Sequence, residues 1–416
     1  MGAKKNIWLI VIGEPLPLEM GSRALRTRLL ARHLASQGND VTWWTSDFNH
    51  FAKRYHAISD AVYESEEGYS LRFLHGRAYE KNLSIARLLN HIEIARDFKS
   101  KAKKLTTPDI IVCCLPSIEL AREAIAFGKS RSIPVIIDIR DLWPDEITSR
   151  LPTAVRGVGK VLTAPLDRQV TSIMREADAL IGVSDAYLSW GLNKASRDKT
   201  ENDCVIPLGY PDSDESALIR RNVRRPKNGP GFNLFFSGSF NNSVDLTCLI
   251  EAVRQIRNLE LSLTLCGDGE NFQRWRALAG EDSRVTFTGW IQSDKIRSHA
   301  ANADVGLVCY RPESLVAMPN KLFEYMSFGL PIINAIPGEA ANLVQSQKIG
   351  VNYKPGSAKE LSIAISKMIT APHELSEMAT ASGRCFELYY SATAICEQFS
   401  TIIDATIKTK KLSNFN

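Results

Sequence analysis

Residues 304–336 read DVGLVCYRPESLVAMPNKLFEYMSFGLPIINAI. The segment opens with an apolar run, DVGLVCY (304–310), and passes through a short loop into an amphipathic stretch that begins at Pro319. Gly329 and Pro331 stop that stretch and lead directly into a second apolar run, PIINAI (331–336). A short run, a helix and a second short run form a β–α–β unit, whose two strands lie parallel in a sheet covered by helices.

The same alternation extends outward in both directions. Upstream lie FNLFFSGS (232–239), LSLTLCG (261–267) and RVTFTG (284–289), and downstream lies IGVNY (349–353). The first half repeats the pattern with NIWLIVIG (6–13), DVTWWTS (40–46), LRFLHG (71–76), DIIVCCL (109–115), PVIIDIR (134–140), ALIGVS (179–184) and CVIPLG (204–209). A helix from Ser22 to Gln37 ends at Gly38, a glycine stop. Between the halves, PDSDESALIRRNVRRPKNGPG (211–231) carries turn formers and charges. The chain is expected to be α/β, with two doubly wound Rossmann-like domains, 1–205 and 206–390, facing an interdomain cleft where a ligand binds. A final helix near 391–408, within a terminal segment 391–416, packs on either domain.

A length of 416 residues suffices for two large cores and rules out a peptide ligand or a disulfide-stapled factor. With 44% hydrophobic and 23% charged residues, the bulk of the chain is expected to fold. The 51 Lys and Arg exceed the 46 Asp and Glu by five. The segment 81–105, KNLSIARLLNHIEIARDFKSKAKKL, holds seven basic and two acidic residues, so it alone accounts for that excess. A uniformly basic nucleic-acid binder is thereby disfavoured. A local basic face remains, with Leu88, Leu89 and Ile92 on an apolar side suited to a membrane surface. The eight cysteines never form C-x-x-C and read as buried core residues in a reducing compartment. The N-terminus, MGAKKNIWLIVIG, reads as a buried strand and not a signal peptide, and no stretch is long and apolar enough to span a membrane. A cytoplasmic protein is expected.

Two segments carry chemistry. Pro319 at the start of a helix leaves the N–H groups of Asn320, Lys321 and Leu322 at the positive end of its dipole, an anion site made of backbone. Lys321 adds a full charge there, and Glu324, one turn on, is placed to accept hydrogen bonds from a diol such as a ribose. The plainer alternative is an amphipathic helix with Leu322, Phe323, Tyr325 and Met326 in the core and a solvated Lys and Glu. In DIRDLWPDE (138–146), Asp138, Arg140 and Asp141 end a strand where open α/β sheets bind ligands, and Trp143 can stack on a sugar face. The alternative pairs Arg140 with a neighbouring carboxylate and uses Trp143 as core filling. GDGE (267–270) reads as a turn. Asp212-Ser213-Asp214 matches a D-x-D metal signature but has no flanking strand.

MPNKLFEYMSFGLPII (318–333) resembles the nucleotide-sugar-binding helix of the retaining GT-B glycosyltransferases, in particular the family-4 branch that builds bacterial surface polysaccharides such as lipopolysaccharide or capsule. Gly21-Ser22-Arg23, DIRDLWPDE, IGVSDAYLSWG (181–191), VIPLGYPD (205–212), FFSGSFNNSVDLTCLIEA (235–252), LCGDGE (265–270) and VTFTGWIQSDKI (285–296) follow the same order, so the resemblance covers nearly the whole chain. It implies a GT-B fold with an acceptor-side first domain and a nucleotide-sugar-binding second domain. It further implies that Glu324 holds the ribose, that Asn320, Lys321 and Leu322 hold the diphosphate, and that Trp290 and Ile291 present backbone to the base. Gly21 and Ser22 would approach the donor phosphates, and Gly238 would mark the turn after the first strand of the second domain. Many relatives carry an Arg after that glycine and a Lys five residues on, where this chain has Ser239 and Val244, which leaves Lys321 and Arg311 to meet the phosphate charge. Many also carry a His before the Asp at the end of the fifth strand, where this chain has Arg140-Asp141. The first glutamate of the usual E-x7-E pair falls at Val316.

The implied activity is transfer of a hexose with retention, without a metal or other cofactor, from a nucleotide-sugar, a UDP-sugar being favoured, to a saccharide or lipid-linked acceptor. Asp141, Arg140 and Lys321 are the catalytic candidates, and the basic 81–105 segment is the candidate contact with the inner membrane. Two alternatives keep the fold: a degenerate subunit that supports a partner, and a nucleotide-sugar epimerase. A dehydrogenase is disfavoured because GEPLPLEMGS (13–22), after the first strand, lacks G-x-G-x-x-G.

Overall fold

The computed structural model describes residues 4–18, 24–56, 62–81, 84–149, 151–152, 155–223, 231–257, 260–314 and 316–413. The chain forms two compact units, Met1–Leu208 together with Ile395–Asn416, and Gly209–Ala394.

The strands of the first unit are β1 (Asn6–Ile10), β2 (Asp40–Ser46), β3 (Phe48–Asn49), β4 (Arg54–Tyr55), β5 (Val62–Glu64), β6 (Ser70–Leu74), β7 (Ile110–Leu115), β8 (Val135–Ile139), β9 (Ala179–Gly182) and β10 (Cys204–Val205). Its helices are α1 (Arg26–Ser36), α2 (Ile85–Ala102), α3 (Ile118–Ser130), α4 (Asp145–Ser149), α5 (Arg156–Glu176) and α6 (Asp185–Ala195). The sheet order is β10-β9-β8-β7-β1-β2-β6-β5, parallel except that β5 runs antiparallel to β6. Each apolar run read from the sequence is a strand. The sequence reading has no counterpart for the β3–β4 hairpin or the edge strand β5: β4 is exposed and β5 at most half-buried, so neither forms an apolar run.

Beneath this sheet an aromatic cluster fixes α2 and α3. Trp8 meets Trp44 at 5.2 Å and Phe127 at 5.4 Å, and Trp44 meets Phe98 at 5.1 Å between ring centroids. Edge and stacked contacts of this kind add roughly 0.5–1.5 kcal/mol each beyond the area they bury. The last helix, α15 (Ala392–Ser413), packs its residues from Ile395 onward within this unit. Lys410 donates to Asp178 at 2.7 Å, Lys5 pairs with Asp404 at 2.5 Å, and Phe399 lies under the Arg26 guanidinium at 4.5 Å.

The second unit has strands β11 (Phe232–Ser237), β12 (Leu261–Cys266), β13 (Val285–Gly289), β14 (Val305–Val308), β15 (Ile332–Asn334) and β16 (Gly350–Asn352), all parallel in the order β13-β12-β11-β14-β15-β16. Its helices are α7 (Asp214–Val223), α8 (Leu246–Gln255), α9 (Phe272–Ala279), α10 (Ser293–Ala301), α11 (Asn320–Ser327), α12 (Glu339–Ser346), α13 (Ala358–Thr370) and α14 (Pro372–Cys385), the last continued by a π-helical turn, Phe386–Tyr390. The chain winds outward to β13 on one side of β11 and to β16 on the other. The gap at the carboxyl ends of β11 and β14 is therefore a topological switch point, where open α/β sheets form their crevice.

Candidate functional site

At the switch point of the second unit, β11 runs out through Ser237 into Gly238, and β14 runs out into Tyr310 and Arg311. The two exits are tied together: Arg311 N–H donates to Ser243 at 3.0 Å, and Val244 bridges Tyr310. α11 begins here with Pro319 as its cap residue in an extended conformation, one position earlier than a proline inside the first turn. The N–H groups of Asn320 and Lys321 have no partner among the described residues. Leu322 differs from expectation. Its N–H donates to the Pro319 carbonyl at 3.0 Å and its side chain is buried, because the first turn is tightened to an i→i−3 bond. Two free backbone donors remain at the positive end of this helix, not three.

The Lys321 side chain folds back over the end of β11. Its Nζ lies 4.7 Å from the Phe236 ring centroid and 5.8 Å from that of Tyr310, and it makes no ion pair or hydrogen bond with any described residue. A Cβ on Gly238 would collide with Nζ, and Gly238 itself has φ +136°, so both backbone and space require glycine there. Burial pushes the Lys321 ammonium down to about 8, with the Glu324 carboxylate pulling the other way. An unpaired ammonium against aromatic faces and a bare glycine is a seat for an anion.

Glu324 lies one turn further along α11. Its Oε1 accepts from the Tyr210 hydroxyl at 2.6 Å and its Oε2 from Ser237 Oγ at 2.7 Å. Each carboxylate oxygen keeps a second lone pair, so a diol can still be accepted on a carboxylate already oriented by protein. The neighbouring Tyr325 is buried and locks the helix to both strands: its hydroxyl accepts from Ser237 N–H at 3.0 Å and donates to the Leu307 carbonyl at 3.3 Å. A Cβ at Gly306 would fall 2.5 Å from the Tyr325 ring, which accounts for a glycine inside β14. Tyr210 escaped the sequence reading. Nothing local marks it within VIPLGYPD. Its backbone is fixed by donating to Tyr390 at 2.9 Å and accepting from Ala392 at 3.0 Å.

The other expected residues are placed as follows. Arg311 is half-buried at the exit of β14, beside the Lys321 site. Ser239 is exposed, and Val244 is 1% exposed in the core. Gly289 ends β13 and accepts from Gly267 N–H at 3.0 Å; beyond it Trp290 is 73% exposed and Ile291 half-buried. β13 is two strands from β11, so these two residues stand roughly 10 Å from the Gly238 turn. Gly267 abuts the Gly238 carbonyl and Gly269 abuts Phe240, so GDGE is a close-packed turn. Gly21 and Ser22 lie outside the described residues.

In the first unit, Arg140 follows β8 and sits in a nearly buried network. It donates to Asp138 Oδ2 at 2.7 Å, to Thr27 Oγ1 at 3.2 Å and to Glu14, whose carboxylate also takes the Thr27 hydroxyl at 2.6 Å. Burial disfavours its charge, but Asp138 and Glu14 outweigh burial and hold the guanidinium above its ordinary value. Arg26 approaches the other oxygen of Asp138 at 3.5 Å, and burial lowers it to about 10 against the pull of that carboxylate. Asp141, next in the chain, is half-buried. Trp143 is half-buried against the core with the Arg87 guanidinium 5.0 Å over its ring. The structure thus joins Arg140 to carboxylates and leaves Asp141 at the carboxyl end of the sheet.

Among the described residues no cluster of three His, Cys, Asp or Glu side chains could hold a metal ion. Asp212 of the D-x-D segment is paired with Arg220 at 3.0 Å. No helix of the described residues is long and apolar enough to cross a membrane.

Residues 231–371 match the family described as Glycosyl transferases group 1. A search of curated proteins returns no match. Among solved structures, HepE from Anabaena in complex with UDP is 15% identical with a TM-score of 0.67 over 96% of this chain and 100% of its own. Sucrose-phosphate synthase from Thermosynechococcus elongatus is 19% identical with a TM-score of 0.68, over 98% of this chain and 100% of its own. WaaG, a glycosyltransferase involved in lipopolysaccharide biosynthesis, is 15% identical with a TM-score of 0.62, over 95% of this chain and 99% of its own. The chain therefore has the fold of the GT-B glycosyltransferases, and its residues 231–371 match glycosyl transferases group 1.

Proposed function

We propose that the protein is a retaining, metal-independent glycosyltransferase that moves a hexose from a nucleotide-sugar, a UDP-sugar first, to a saccharide or lipid-linked acceptor in cell-surface polysaccharide biosynthesis. The observation that carries this reading is the unpaired Lys321 ammonium against Gly238, beside two free N–H groups at the start of α11 and one turn from Glu324. Those groups suit a diphosphate and a ribose in that order. HepE, solved with UDP and with UDP-glucose, supports the choice of base.

In the proposed reaction the bond from the anomeric carbon to the diphosphate oxygen breaks, and a bond to the acceptor oxygen forms on the same face. The acceptor proton passes to the departing phosphate. Lys321, Arg311 and the α11 dipole stabilise charge growing on that phosphate, a contribution that preorganised donors make without reorganisation. Glu324 and the backbone at Trp290 and Ile291 hold the ribose and base, with Gly21 and Ser22 toward the phosphates. Asp141 orients hydroxyls of the sugar or acceptor, and Arg140 fixes the loop that carries it. The protein works in the cytoplasm, with the basic 81–105 segment at the membrane face.

The test is release of nucleoside diphosphate from a panel of nucleotide-sugars with lipid-linked saccharides as acceptors, with and without EDTA, and the anomeric configuration of the product by NMR. Transfer with retention, insensitive to EDTA, is expected. Inversion or a strict metal requirement would overturn the mechanism, and no turnover of any donor would overturn the activity.

A further inference from the structure

In the first unit β7 and β8 run parallel, with Leu115 opposite Ile139 at their last paired row. Ser117 and Asp141 each follow that row by two residues, so they leave the sheet one strand spacing apart, about 5 Å. Ser117 is the cap residue of α3, yet its hydroxyl does not cap. It is buried, at 2% exposure, and makes no hydrogen bond with a described residue. The N–H groups of Ile118, Glu119 and Leu120, which the first turn of α3 leaves over, also have no partner among the described residues. Across from them stands His91 of α2. Its Nδ1 lies 3.7 Å from Glu119 Oε2, too far for a hydrogen bond, and neither side chain makes one with a described residue. Both residues are 6% exposed, although each side chain keeps 8% of its surface open.

Native structures rarely leave so many buried polar groups unanswered in one place. The kinds of group say what would answer them. The hydroxyl and the N–H groups donate, the imidazole donates or accepts according to its tautomer, and the carboxylate accepts. An anion seated on these donors meets the Glu119 carboxylate. A cation finds that one carboxylate at the positive end of a helix dipole. Arg140, at the end of β8, brings no free charge, because Asp138 and Glu14 already hold it. A neutral hydroxyl satisfies both halves of the set. Placed about 2.8 Å from each partner, it fits across the gap between His91 and Glu119, accepting from the imidazole and donating to the carboxylate. A ring that carries several hydroxyls can reach Ser117 as well.

We propose that Ser117, Glu119 and His91 form a subsite for a neutral sugar ring of the acceptor, beside Asp141; this rests on the acceptor-side reading of Asp141 given above. The protein then extends a saccharide that is already in place and does not act on a bare lipid phosphate. Its substrate must come from an earlier glycosyl transfer that sets the first sugar.

Saturation-transfer NMR and calorimetry on the full chain, with and without UDP, read the binding of the methyl glycosides of glucose, galactose, mannose and N-acetylglucosamine. Inorganic phosphate and farnesyl phosphate are the competitors. Wild type is expected to bind at least one glycoside, displaced by neither phosphate. Glu119→Ala and His91→Phe are expected to weaken that glycoside about tenfold or more, and Ser117→Ala about threefold, all with UDP affinity unchanged. Circular dichroism reports folding. Where Glu119→Ala does not fold, Glu119→Gln, with about a threefold loss, and Ser117→Ala carry the test. Binding of no glycoside, equal glycoside affinity in the folded variants, or displacement of the glycoside by farnesyl phosphate would overturn the proposal. Glycoside binding that depends on Glu119, without any binding of UDP, would count against the donor reading alone.

Discussion

Lys321 Nζ occupies the space that a side chain on Gly238 would need, although 83 residues separate the two in the chain. The ammonium, the glycine turn and the first N–H groups of α11 thus form a single small anion seat at the β11–β14 switch point. Gly238→Ala tests it. The substitution both displaces the ammonium and imposes a side chain at φ +136°, a strain of about 1–3 kcal/mol. A lower Tm together with a loss of nucleoside diphosphate affinity is expected, and unchanged affinity would separate the turn from the site.

Because burial holds the Lys321 ammonium at about 8 in the free protein, a bound diphosphate must raise it. Binding then takes up a proton, so affinity falls as pH rises through that value and holds below it. Calorimetry in buffers of different ionisation enthalpy should show this uptake near the midpoint, and Lys321→Met should abolish it while weakening binding. A flat pH profile in wild type would remove Lys321 from the phosphate.

Tyr210 acts on the ligand through Glu324. Tyr210→Phe removes one of the two hydrogen bonds that orient the carboxylate, worth about 1 kcal/mol, so about a fivefold loss of UDP affinity is expected. The discriminating readout is the deoxyribose analogue that lacks the 2′-hydroxyl, for which wild type and Tyr210→Phe should differ less. A purely structural tyrosine would lower both ligands alike.

In the first unit, removing Arg140 leaves Glu14 without its cation and Asp138 with Arg26 alone, at 3.5 Å. Arg140→Ala is expected to cost about 3–5 kcal/mol in urea unfolding, as broken buried ion pairs do. Asp141→Ala should instead leave stability and donor affinity near wild type and lower turnover. An equal loss of donor affinity in Asp141→Ala would remove it from the acceptor side of the reaction.

Much of this architecture was legible because it is written locally. Gly329 and Pro331 end α11 and start β15 within a few residues, and the apolar runs mark every strand of the two large sheets except the edge strand β5. Lys321 and Glu324 were legible as residue types at a helix start. Their partners were not: Tyr210 reaches Glu324 across 114 positions, and Glu14 reaches Arg140 across 126. The engagement of Leu322 N–H depends on how tightly one turn winds, which residue spacing does not fix.

The central claim is that the start of α11 holds a nucleoside diphosphate while Glu324 holds its ribose. Calorimetric titration of wild type and Glu324→Ala with UDP, GDP, ADP and TDP, with magnesium and with EDTA, tests it most directly. The account predicts saturable binding of one nucleotide, UDP first, unaffected by EDTA and weakened by about 1.5–3 kcal/mol in Glu324→Ala. Binding of none of the four, or equal binding by Glu324→Ala, would contradict it.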